Sequence, residues 1–124
     1  MKTNISYPGK TVLVFGVYLS LVGLTLLLIP NVFLTVIGVE NTFEVWIRLS
    51  GLLLMALSVY YIVAAMQNII PIFKVTAYIR CTIPLFFGAF VLAHLMDPIM
   101  LLFAAIDCAG GVWTFIALRR SKQL

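Results

Sequence analysis

Arg80 and Asp107 are the residues of this chain whose types and positions could do chemistry. Arg80 sits within Tyr78-Ile79-Arg80-Cys81-Thr82-Ile83-Pro84, and Asp107 lies midway along the next apolar segment. An ionisable group at bilayer depth is costly. It therefore turns to the protein interior, takes a partner, and marks a functional position by default. A guanidinium and a carboxylate could form a clamp that fixes helix register. They could instead form a site in which the arginine attracts an anion and the aspartate exchanges a proton, and both readings stay open. Cys81 and Cys108 each follow one of the charged residues; they read as small packing residues, with a redox pair as the alternative. Tyr18 and Tyr61 fall at similar depths and complete the inner group of candidates.

A second group gathers toward the opposite membrane surface: Glu44, Arg48, His94 and Asp97. Glu44 and Arg48 stand four apart in the favourable order for a helical ion pair, which reads as an exposed interfacial salt bridge. His94 is the one histidine of the chain, whereas structural zinc usually takes four ligands, so neither a metal nor a cofactor is expected. No nucleophile, base and orienting group can be assembled, which leans against an enzyme.

The elements that must position these residues follow from composition. Of the 124 residues, 64% are hydrophobic and only 10% charged, against roughly 25% charged in soluble domains. A transmembrane helix takes about 20 apolar residues, so four spans use nearly the whole chain. They fall at about 11–29, 43–66, 72–96 and 98–118, and the whole of 1–124 reads as one domain. The fold class is all-α: a polytopic membrane protein, a four-helix transmembrane bundle with short loops. The first run is too long for a typical signal-peptide core, and no small-residue cleavage site follows it. The short apolar stretch 32–39 predicts an interfacial turn or short helix. In the third span Pro84 cannot donate to the carbonyl of Arg80, and this predicts a kink.

Small residues recur where neighbours must approach closely: Gly16, Ser20 and Gly23 in the first span, Gly51, Ser58 and Ala65 in the second, Gly110-Gly111 in the fourth. Four spans place Lys2, Lys10, Lys74, Arg119, Arg120 and Lys122 at one side, and Glu40, Glu44 and Asp97 at the other. Lysine and arginine collect on the cytoplasmic side, so both termini are expected there. The net charge of +4 is not gathered into a basic face, which leaves nucleic acid an unlikely partner. By helical rise, Arg80 lies roughly 12 Å and Asp107 roughly 16 Å from that side. Those levels, with a very short turn at Asp97-Pro98, predict that the two residues pair.

The segment Trp46-Ile47-Arg48-Leu49-Ser50-Gly51, Tyr60-Tyr61 in the same helix, Arg80 in the third span and Asp107 in the fourth together resemble the bacterial DoxX-like four-helix membrane proteins. The resemblance implies a compact four-helix bundle in the cytoplasmic (inner) membrane and no defined activity. The chain differs from small multidrug exporters, which carry a glutamate in their first helix, since its first span has no acid. Nor does it contain the Cys-x-x-Cys of disulfide-generating, quinone-reducing bundles. The favoured expectation is a non-enzymatic bundle that binds a lipid-like ligand or a partner membrane protein. The alternative is an oligomeric transporter or channel using Arg80 and Asp107. A homo-oligomer is compatible with either.

Overall fold

The computed structural model describes residues 5–121; Lys2 and Lys122, counted above with the basic end, lie outside them. Five helices follow one another: α1 (Tyr7–Leu28), α2 (Pro30–Val36), α3 (Val45–Met66), α4 (Ile70–Leu92) and α5 (Met100–Arg120). All but α2 are long and apolar enough to cross a membrane. The fold is the expected all-α four-helix membrane bundle, with α2 as the short helix anticipated after the first span.

The helix ends have local causes. Ser6 caps α1 by accepting from the Gly9 amide at 3.1 Å, and Pro8 fills the first turn, where its missing N–H costs nothing. The Ser6 hydroxyl also donates to the side-chain carbonyl of Asn68, tying the start of α1 to the α3–α4 turn. Helices α2, α3 and α4 end alike. Gly38, Asn68 and His94 adopt positive φ (78°, 54° and 60°), and the next residue's amide bonds to a carbonyl five residues back. This is the left-handed Schellman ending, in which glycine is usual and asparagine and histidine are tolerated. His94 therefore lies just beyond α4, which stops at Leu92 rather than 96 as expected. The α4 helix passes through Pro84 without interruption.

Helices α1 and α3 form one antiparallel pair. Gly9 approaches Ala65, Gly16 approaches Tyr61 and Ile62, and Gly23 approaches Gly51 and Met55. At the tightest point a Cβ on Gly51 would lie 2.6 Å from the Gly23 carbonyl oxygen. Only hydrogen at both positions allows this backbone contact. Helices α4 and α5 form the second pair, with Gly111 seated against the Ala77 carbonyl and Cys81. The pairs join along α1 and α5, where Thr11 meets Thr114 and the Trp113 indole donates to the Tyr7 hydroxyl at 3.0 Å.

Packing is uneven along the bundle axis. At the end that holds both termini, Val12, Phe15, Tyr61, Ala65, Phe73 and Leu118 form a continuous buried core. Beyond Arg80, α4 has no buried residue, and before Gly111 α5 has only Ala104. The distal halves of α4 and α5 are thus loosely packed, while α1 and α3 stay in close contact there through Gly23 and Gly51.

Candidate functional site

Arg80 is placed by the terminal core. Its side chain is 3% exposed, and the guanidinium lies 4.2 Å above the Phe15 ring and 5.7 Å from that of Tyr61. Aromatic faces carry partial negative charge and attract a desolvated cation. Nη2 donates to the Thr114 hydroxyl at 3.0 Å, and Nε makes a longer bond of 3.4 Å to the Thr76 carbonyl one turn back. Thr114 Oγ1 in turn lies 2.8 Å from Thr11 Oγ1, which is 2.7 Å from the Pro8 carbonyl. One chain of polar contacts thus links α4, α5 and α1 inside an apolar core. Among the described residues, Arg80 Nη1 has no hydrogen-bond partner, and it is buried. It packs against Gly110, where an added Cβ would stand 3.0 Å away.

The expected direct pairing of Arg80 with Asp107 does not form. Neither hydrogen bond of the guanidinium goes to Asp107, although the two charges remain within Coulombic reach. The physical reason lies in side-chain direction. Helical side chains lean toward the N-terminus of their own helix. In antiparallel neighbours the two heads therefore point apart: Arg80 toward the terminal end, as its bond back to Thr76 shows, and Asp107 toward the distal end. The helix limits leave the axial offset as expected, since Arg80 stands about 15 Å from the start of α4 at Ile70 and Asp107 about 20 Å from the end of α5 at Arg120.

Asp107 instead lines a partly enclosed cavity of about 150 Å³ in the distal half. Its other walls include Tyr18 and Leu19 of α1, Phe33 of α2, Phe87 of α4 and Phe103 of α5. The Phe33 and Phe103 rings pack 5.6 Å apart. A second hollow, an open groove of about 320 Å³ between α1 and α5, is lined by Val14, Phe15, Tyr18, Ile106 and Trp113 among others. Tyr18 borders both. Of the inner candidates, Tyr61 belongs to the arginine's enclosure and Tyr18 to the cavity. Cys81 and Cys108 are both half-buried free thiols.

The outer group is not assembled by hydrogen bonds. Arg48 donates to the carbonyls of Leu27 and Leu28, at 2.6 and 3.3 Å, and not to Glu44. It caps the orphan carbonyls at the end of α1, which corrects the expected Glu44–Arg48 bridge. Asp97 Oδ1 accepts from the Ile99 amide at 3.0 Å and shapes the turn into α5. His94 is exposed beyond the end of α4.

Sequence reading missed Thr11 and Thr114, the polar partners that receive the arginine. A heptad step from Asp107 to Thr114 was their available signal. It also missed the aromatic walls, because phenylalanine in a membrane helix carries no distinguishing mark. No protein-family model, curated protein or solved structure matches the chain.

Proposed function

We propose that this membrane protein is a non-enzymatic bundle that binds a single-chain amphiphile, with Arg80 tying α4 to α5 and α1 beside the two hollows. The observation that carries this reading is the pair of hollows meeting at Tyr18. The groove between α1 and α5 offers an apolar path for a chain, and the cavity beside Asp107 offers a place for a head. Ligand sites of this kind are mostly apolar with few polar groups. The basic residues Lys10, Lys74, Arg119 and Arg120 collect at the terminal end, opposite Glu40, Glu44 and Asp97. This supports the cytoplasmic membrane with both termini inside; Arg48 is the exception, and it is engaged in capping α1.

A transport reading comes second. It requires water and an anion to reach Arg80, and the side chain is enclosed by Phe15, Tyr61 and Thr114. The amphiphile reading is tested with a photoreactive single-chain amphiphile in nanodiscs. Labelling should concentrate on Val14, Tyr18, Ile106 and Trp113. Labelling spread evenly over the exposed faces of α3 and α4 would overturn it.

A further inference from the structure

We propose that the cavity beside Asp107 takes a cationic head group, a quaternary ammonium or protonated amine, so that the amphiphile is a lipophilic cation. The inference rests on the amphiphile reading and adds the chemistry of the head.

Among the described residues, Asp107 is the one charged residue lining the cavity. A carboxylate in apolar surroundings is costly unless paired, and the arginine directs its hydrogen bonds elsewhere. Four of the nine other lining residues are aromatic and suit a cation, and the rest are aliphatic. Tyr18, Phe33, Phe87 and Phe103 come from α1, α2, α4 and α5 and converge on the hollow. Aromatic side chains around an acidic group form the usual receptor for quaternary ammonium. The neighbouring terminal core already holds one cation this way, with the Arg80 guanidinium 4.2 Å above Phe15. Size agrees, since the cavity measures about 150 Å³ and hollows of about that volume accept benzene, which is close in bulk to a trimethylammonium group. The Arg80 charge opposes a second cation, but it lies on the terminal side of Asp107 and faces the Phe15 and Tyr61 rings. A head entering the distal cavity meets the carboxylate first. Its chain leaves past Tyr18 into the α1/α5 groove.

The test is competition against the photoreactive amphiphile, in nanodiscs of uncharged lipid. The two competitors are dodecyltrimethylammonium and dodecyldimethylamine oxide, which share a chain and have heads of similar size with and without net charge. The cation should displace the label at roughly tenfold lower concentration. Asp107→Asn should abolish that preference while labelling of the groove persists. Phe103→Leu, which keeps the carboxylate, should shrink it severalfold, and it decides the matter if Asp107→Asn fails to fold. Equal displacement by both competitors, with labelling of the groove intact, would overturn the cationic head and leave the amphiphile reading standing. Absence of groove labelling from the start would overturn both.

Discussion

The Arg80 guanidinium reaches the Thr114 hydroxyl at 3.0 Å, and Thr114 reaches Thr11 at 2.8 Å, so one arginine on α4 engages α5 and, through it, α1. A hydrogen bond to a charged group contributes about 1.5–3 kcal/mol, and a buried group left unpaired costs as much again. Thr114→Val keeps the side-chain shape and removes the hydroxyl. It should destabilise the bundle by about 2–3 kcal/mol in detergent unfolding, whereas Thr82→Val, at an exposed position on α4, should change it by less than about 0.5.

The glycines give a sharper contrast. A Cβ on Gly51 would meet backbone atoms of α1 at 2.6 Å, and one on Gly88 would meet nothing within 4 Å. Gly51→Ala must part α1 from α3 and should cost about 1–3 kcal/mol. Gly88→Ala gains helix propensity and should be neutral or stabilising by up to about 1 kcal/mol. Thermal unfolding of the two variants side by side checks both signs.

Arg48 and Glu44 should separate in the same assay. Arg48→Ala removes donors from the Leu27 and Leu28 carbonyls and should cost about 1 kcal/mol. Glu44→Gln, at an exposed residue just before α3, should stay within about 0.5 kcal/mol. Equal losses in the two variants would restore the ion pair between them.

The four helices and the short α2 were legible because hydropathy and loop punctuation act locally. That Gly23, Gly51 and Gly111 would sit at close helix contacts was legible too, since small residues in lipid mark the approach of backbones, but which helix each one meets was not. The site was legible only in its charges. Arg80 and Asp107 stand out in any apolar segment, but their pairing was inferred from Cα depth alone. Depth says nothing of the direction in which each side chain leans, and in antiparallel helices that direction separates the heads. His94 was assigned to the third span by its heptad step from Phe87, because a left-handed helix ending at histidine has no clear mark in sequence. The cavity was not legible at all. It arises from the loose distal packing of α4 and α5 around Phe33, and packing is a property of the assembled bundle.

Arg80 is held without a hydrogen bond to Asp107, which leaves the carboxylate to the cavity. The unfolding free energy of Asp107→Asn tests it most directly. If the arginine is secured by Thr114, Thr76 and the Phe15 ring, Asp107→Asn should shift stability by less than about 1 kcal/mol. Arg80→Met, measured alongside, should cost several kcal/mol. A loss of about 3–5 kcal/mol in Asp107→Asn, the penalty for breaking a buried ion pair, would contradict the account and return Asp107 to the clamp.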